Sequence, residues 1–543
     1  MDDKRVNALL GRTAQSLPTE DHELFAAIVD SYRYLSDVIS DKETTIAQLR
    51  KLMFGSQSEK YKDVVDQDDG EETSSDDGDN DSSPASLSGT EDGDAESDDL
   101  PDENAEPPPG HGRHGADAYS GAKQVRVEHP CLCPGDDCPH CVSGTLYERS
   151  PAVLVRIVGR APLDATVYRL QRLRCHLCGK VFTAPAPEEA ATEKYGATAV
   201  SMIALLKYGS GLPFNRLQRL QGSLEIPLPA STQWDVLAAA SARFDPVYQE
   251  LIRQAAQGDV LYNDDTSVKI LELMGGYEQT AAEEKRFGKR TGLFTSGVVS
   301  TRHDQRIALF FSGRQHAGEN LADVLKQRSE TLRTPIQMSD ALSRNLPKEL
   351  AVIVSHCLAH ARRQFVDLYE SFPNECQYLL QSLRIVYKND ADARKEQLTY
   401  RQRLEYHQAH SQSTMDNLKT WLRRQFNERL VEPNSALGGA INYMLKRWDA
   451  FTLFLREAGA PLDNNICERA LKKAILHRKN ALFYKTRNGA RVGDMLMSLI
   501  YTCELSGANP FHYLTELQRH TDEAAEHPQR WMPWTYGEAL AAA

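Results

Sequence analysis

Between residues 61 and 107 the chain carries 19 acidic residues against one lysine, with Ser, Gly and Pro filling much of the remainder and almost no large apolar side chains. Such a stretch buries too little apolar surface to offset the entropy of ordering it, so no core can run through it. A disordered linker is expected over 61–120, continuing through PPPGHGRHG. The same run explains the charge. The chain's net charge is −13 and the acidic stretch alone contributes −18, so everything else sums to −13 + 18 = +5. A mildly basic body on an acidic tether is compatible with binding DNA, and the simplest role for the tether is solubility.

At 543 residues the chain exceeds what one core usually serves. Residues 1–23 are a short amino-terminal segment. Over 24–60, Ile28, Leu35 and Leu49 share one heptad position, broken by Lys42, and Tyr32, Ile39, Ile46 and Met53 share another. This leucine-zipper-like pattern predicts a coiled coil and a homo-oligomer, the alternative being an amphipathic helix packed on its own chain. There is no run of about 18 apolar residues and no apolar signal segment in MDDKRVNALLGR, which predicts a cytoplasmic protein without a membrane partner.

Downstream of the linker, residues 121–185 hold six of the ten cysteines. Cys138 and Cys141 form one CxxC and Cys175 and Cys178 another, a set of four thiolates suited to structural Zn²⁺. Cys131, Cys133 and His140 leave the exact ligands open. The alternating segments AVLVRIVG and ATVYRLQRLRC suggest a short antiparallel sheet there. Residues 186–257 read as helices that bind DNA or connect domains. GDVLYNDD, SVKILEL, LFTSGVVS and QRIALFFSG are expected strands, followed by a helix at about 317–327 and strands at TPIQMSD and AVIVSHC. That order predicts an α/β domain with a mixed sheet. Helices dominate from 358 to about 457 and again from about 464 to 520, and PQRWMPWTYGEAL reads as an aromatic clamp on the surface.

Asp264 closes DVLYND and Asp340 closes PIQMSD, and carboxylates at strand ends can converge at one edge of a sheet. Glu468 lies in PLDNNICERALKKAI, which Asp463 or Asn464 caps, and residues 469–491 then carry eight lysines and arginines and no acid. Three hard-oxygen ligands beside a basic helix suit Mg²⁺ or Mn²⁺ and a phosphodiester backbone, although spacing alone leaves these carboxylates little distinguished from solvated surface acids. Cys357 and His360 are three apart on one helical face. Zinc is disfavoured there because no complementary pair is evident, and a core-packed Cys357 with a hydrogen-bonded His360 is the plain alternative.

NDDTS at 263–267, MSDALSRN at 338–345, CLAHARRQF at 357–365, DNNICERALKKAILHRKNALF at 463–483, GAR at 489–491, an early FGSQSEK and a late HPQRWMPW occur in that order. In these motifs the chain resembles insertion-sequence-66-type transposases, bacterial enzymes of the DDE class, over nearly its whole length. The resemblance implies an RNase H-like catalytic domain at 258–500 with a helical insertion at about 366–457, a zinc-binding domain, and a carboxy-terminal region at 501–543. It places the catalytic, metal-holding carboxylates on Asp264, Asp340 and Glu468, with Asp265 as a competing neighbour. His360 is expected to contact the scissile phosphate or orient an acid, with Arg362 and Arg363 holding phosphates. Asn464, Asn465, Arg478, Lys479 and Asn480 are expected to brace the glutamate helix or touch DNA. Two positions depart from the family pattern: Asn263 stands where alanine is usual, and Ser267 where proline is usual. The implied activity is metal-dependent cleavage of element-end DNA and strand transfer into target double-stranded DNA, by a nucleoid-associated protein aided by other proteins of the same element. The rivals are a catalytically silent end-binding repressor or scaffold, and a nuclease that never joins.

Overall fold

Alternating short apolar runs build sheets, and the longer period-3.6 segments wrap them. The computed structural model describes residues 130–137, 139, 145–147, 161–174, 176, 178, 180–188, 193–274, 290–347 and 350–542. The expected coiled coil at 24–60, the acidic linker at 61–120 and the cysteines Cys138, Cys141 and Cys175 lie outside the described residues. The chain divides into two compact units, residues 1–155 and 156–543.

In the first unit, Asp137 and Thr145 form an antiparallel bridge. Gly135 N donates to Leu146 O at 2.9 Å and Leu146 N to Asp136 O at 2.8 Å.

The second unit opens with a two-stranded antiparallel ribbon, β1 (Arg172–Arg174) on β2 (Val181–Thr183), in the segment where alternation predicts a small sheet. Helix α1 (Ala197–Ala204) runs into a π-helical turn at Leu205–Gly209, followed by α2 (Phe214–Ser223) and the long α3 (Ala230–Ala255). The main sheet then forms from β3 (Val260–Ser267), β4 (Phe294–Arg302) and β5 (Gln305–Gly313). After α4 (Ala317–Leu325), β6 (Ile336–Ser339) and β7 (Ile353–His356) complete it. The order is β5-β4-β3-β6-β7. The first three strands are an antiparallel meander, and β6 and β7 join parallel on the other side of β3. SVKILEL is not a strand of its own. Ser267 ends β3, and Leu271–Leu273 is a single 3₁₀ turn that buries Ile270 and Leu273 separately.

The expected run of helices follows: α5 (Leu358–Asp367), α6 (Pro373–Lys395), α7 (Tyr400–His410), α8 (Gln412–Asn427) and α9 (Ala436–Lys446). They enclose a core of their own, with Leu379, Leu383, Met415, Leu418, Ile441 and Met444 among its members. The chain returns to the sheet with α10 (Asn465–Ala481) and α11 (Arg487–Leu505), then closes with α12 (Pro510–Arg519), α13 (Thr521–Glu526) and α14 (Tyr536–Ala542).

A second, larger core joins α1, α3, the meander, α11 and the carboxy-terminal helices. Trp531 and Met532 are fully buried in it, and Tyr513 Oη donates to Trp531 O at 2.7 Å. The tail is therefore a core element, not a surface clamp, because its aromatic side chains pack under the last helices.

The outer edge of β5 is capped by side chains of α11. Asp494, Ser498 and Thr502, at i, i+4 and i+8, accept from the backbone N–H groups of Ser312 (2.6 Å), Phe310 (2.9 Å) and Ala308 (3.1 Å). One helical stripe thus substitutes for a sixth strand and closes an edge that would otherwise template pairing with another chain.

Candidate active site

Alternation along β3 sends neighbouring carboxylates to opposite faces. Asp264 pairs with Gly297 of β4, and a Cβ on that glycine would lie 3.1 Å from Leu471 of α10. The missing side chain lets α10 settle against the face that carries Asp264. Cys467 Sγ donates to Gly297 O at 3.4 Å, and Asn464 Nδ2 to Asn263 O at 3.3 Å. Glu468 lies in the first turn of α10.

Asp265 faces α4 instead. Its carboxylate meets His316 Nδ1 at 2.9 Å and Arg344 at 3.3 Å. His316 in turn forms a capping box with Glu319 at the start of α4. The neighbour that competes with Asp264 in sequence is thus already occupied by two basic side chains.

The parallel ladder pairs Tyr262 with Met338, so two residues further along the register Asp264 lies beside Asp340, just past the end of β6. Asp264 closes its strand only on this side, since its antiparallel pairing with β4 continues to Ser267. Asn345 Nδ2 donates to Asp340 Oδ1 at 2.5 Å and lies 3.5 Å from Asp264 Oδ1. The turn bearing Asn345 is tied down by Asn263 Nδ2 and Gln337 Nε2, which donate to Asn345 O at 2.7 and 2.6 Å. Asn263, the departure from alanine, therefore builds the support of the site. Ser267, the departure from proline, accepts from Arg478 through both its carbonyl (2.6 Å) and its hydroxyl (2.7 Å).

Burial, then the charges of Asp340, Asp265 and Glu468, push the Asp264 carboxyl up to about 8, against the opposing hydrogen bond from Asp265 N. A carboxyl raised first by burial and then by acidic neighbours is in a state that a divalent cation relieves, and the donors are hard oxygens. Hard-oxygen donors of this kind are the type that Mg²⁺ or Mn²⁺ takes.

Among the described residues, however, the trio whose ligand atoms all lie within 4.8 Å of one another is Cys357, His360 and Glu468. Glu468 Oε1 lies 3.6 Å from His360 Nδ1. Cys357 caps α5 directly after β7, and its N–H donates to Ser339 O at 2.9 Å, so the CxxH segment starts at the same sheet edge as Asp340. The side chain that approaches Cys357 and His360, and that sequence spacing did not reveal, is Glu468, more than a hundred residues away.

The other expected site residues divide. Asn464 is buried, and its side chain braces α10 against β3 instead of capping the helix. Asn465 N donates to Asp463 Oδ1 at 3.2 Å. Arg478 is committed to the end of β3, Lys473 pairs with Glu504 at 2.9 Å, and Arg491 with Asp245 at 3.3 Å. Lys479 and Arg362 are exposed, whereas Arg363 and Asn480 are partly buried. Asn345 and Gly297 are the site residues not singled out in the sequence. Asn345 ends the MSDALSRN motif, but Gly297 carries no signal beyond its place in an apolar strand. Of the expected zinc ligands only Cys178 is described, and it is exposed.

Residues 193–492 match the model of the family described as Transposase IS66 family. The chain belongs to that family. Transposase-type activity is accordingly the general activity of its kind, and the mixed α/β core fits it. Among curated proteins, this IS66-family chain is similar to two from Sinorhizobium fredii (strain NBRC 101917 / NGR234). It is 25% identical to uncharacterized protein y4hP, over 77% of this chain and 76% of that one. It is 26% identical to uncharacterized protein y4jD, over 89% and 91% respectively. Among the described residues, no helix is long and apolar enough to cross a membrane.

Proposed function

We propose that this protein cuts the ends of its own mobile element and joins them to target DNA, using divalent metal held by Asp264, Asp340 and Glu468. The observation that carries this reading is the in-register placement of Asp264 beside Asp340 under the helix that bears Glu468. A three-strand antiparallel meander continued by two parallel strands also supports an RNase H-like description of the sheet.

When bound, Mg²⁺ or Mn²⁺ supplies activation of the attacking oxygen and charge stabilisation at the leaving oxygen. The protein's own groups do the rest. Asn345 holds Asp340 and Asp264 in a fixed relation, Asn464 locks α10 to β3, and His360 Nδ1 stands 3.6 Å from Glu468 Oε1. In this reading Arg362, Arg363 and Lys479 hold DNA phosphates and so fix the scissile bond against the carboxylates. Water attacks the first phosphodiester and releases a 3′-hydroxyl, which then attacks a target phosphodiester and displaces that strand's own 3′-oxygen, with no serine or cysteine nucleophile.

Two protomers paired through residues 24–60 would handle two element ends together, and other proteins of the same element are natural partners. The test is incubation of labelled element-end DNA with target DNA and Mg²⁺ or Mn²⁺. A joined product supports the transposase reading, cleavage without joining reduces the protein to a nuclease, and binding without cleavage makes it an end-binding repressor or scaffold.

A further inference from the structure

The CxxH segment at the start of α5 carries chemistry that the proposed reaction does not require. Cys357 is fully buried, yet its sulfur is not idle. It accepts from Asn464 N at 3.3 Å and from the backbone N–H of His360. Two N–H groups are aimed at the sulfur, but burial, then the charges of Glu468 and Asp463, push its thiol well up, so a metal would have to displace its proton to bind. His360 Nδ1 is buried and has no hydrogen-bond partner among the described residues. Its 3.6 Å separation from Glu468 Oε1 is too long for a hydrogen bond. It suits two ligands of one ion, since metal–nitrogen and metal–oxygen bonds of about 2.0–2.2 Å at a tetrahedral angle put the two atoms roughly 3.4 Å apart. One ligand atom from each of the three residues lies within 4.8 Å of the other two.

We propose that Cys357, His360 and Glu468 form a zinc site. A thiolate and an imidazole select zinc over magnesium, whereas the oxygen-only set at Asp264 and Asp340 does the reverse. Zinc with one thiolate, one carboxylate and one neutral imidazole is also charge-neutral, which suits a largely buried position. Glu468 belongs to both sets, so zinc held here withdraws it from the catalytic metal and inhibits. That consequence rests on the proposed catalytic role of Glu468, whereas the binding itself does not.

The experiment is zinc stoichiometry on the full chain, by equilibrium dialysis against Zn²⁺ followed by elemental analysis, with Co²⁺ spectra as a second readout. The native protein is compared with Cys357→Ser, His360→Gln and Asp340→Asn, each checked for folding by circular dichroism. The site predicts about one zinc fewer per chain in Cys357→Ser and in His360→Gln. It also predicts a weaker thiolate-to-cobalt band in Cys357→Ser, and an unchanged count in Asp340→Asn. Zinc content equal to native in folded His360→Gln overturns the proposal, and this partly exposed position decides the matter should Cys357→Ser fail to fold. Loss of zinc in the two variants together with full DNA cleavage by Asp340→Asn leaves the zinc site standing and removes the catalytic reading. Unchanged zinc with an inert Asp340→Asn does the opposite.

Discussion

Asp494 accepts two hydrogen bonds from Ser312, one from its backbone N–H at 2.6 Å and one from its hydroxyl at 2.7 Å. Burial pushes the Asp494 carboxyl up to about 7, while the bonds from Ser312 oppose the shift. Asp494→Ala leaves a strand-edge N–H without a partner and is expected to cost about 1–3 kcal/mol. Asp494→Asn keeps an acceptor in place and should lose less. Urea unfolding of the two variants checks the ranking, and an equal loss would show that the charge, not the acceptor, matters.

Asp264 and Asp265 differ by one residue and are expected to differ in kind. Asp264→Asn should fold normally and lose about 1000-fold or more in DNA cleavage, the scale of several kcal/mol of metal-borne stabilisation. Asp265→Asn removes the partner of His316 and Arg344. It should lower unfolding stability by about 1–3 kcal/mol, with a much smaller loss of cleavage. Denaturant titrations beside cleavage rates separate the two, and a reversed pattern would exchange their roles.

Inside the helical insertion, buried Asp390 meets Arg394 at 2.6 Å, His407 at 3.1 Å, and Arg403. Burial alone would raise its carboxyl, but these partners hold it below the usual carboxylate range. Asp390→Ala strands His407 and Arg403 and is expected to cost about 3–5 kcal/mol. Thermal unfolding measures it, and a near-neutral result would show that water replaces the carboxylate.

Acid should destabilise the fold partly through His477, which lies between the rings of Tyr208 and Tyr484 at 5.7 and 4.7 Å. Burial, then the charge of Lys207, depress its imidazole from the ordinary 6.5 to about 3. Between these values the unfolded chain binds a proton that the folded chain refuses, so stability is lost as pH falls through that window. His477→Phe removes this term. Relative to the variant, the native protein should lose about 1.4 kcal/mol per pH unit over the window. Paired denaturation curves at several pH values test it, and parallel pH dependences would contradict it.

The apolar runs LFTSGVVS and QRIALFFSG were legible as strands because both faces of β4 and much of β5 are buried, leaving uninterrupted hydrophobic stretches. SVKILEL has a similar share of apolar residues, but beyond Ser267 its pairing among the described residues is a single bridge from Ile270 to Tyr484, and composition cannot supply a partner. The i, i+4, i+8 stripe of Asp494, Ser498 and Thr502 has the spacing of a solvated helix face. Only the tertiary fold shows that it faces the edge of β5. In the site, the family motifs located Asp264, Asp340 and Glu468. The opposite facing of Asp264 and Asp265 came from strand alternation once β3 had been placed. The approach of Glu468 to Cys357 and His360 depends on α5 and α10 meeting across the whole helical insertion, a relation that no local spacing encodes.

The most direct measurement is cleavage of labelled element-end DNA in Mg²⁺ by the native protein and by Asp264→Asn, Asp340→Asn and Glu468→Gln, with DNA binding measured in parallel. The account predicts that the native protein cuts and that each variant binds DNA yet is inert. Cleavage at the native rate by any one of the three would contradict the three-carboxylate assignment.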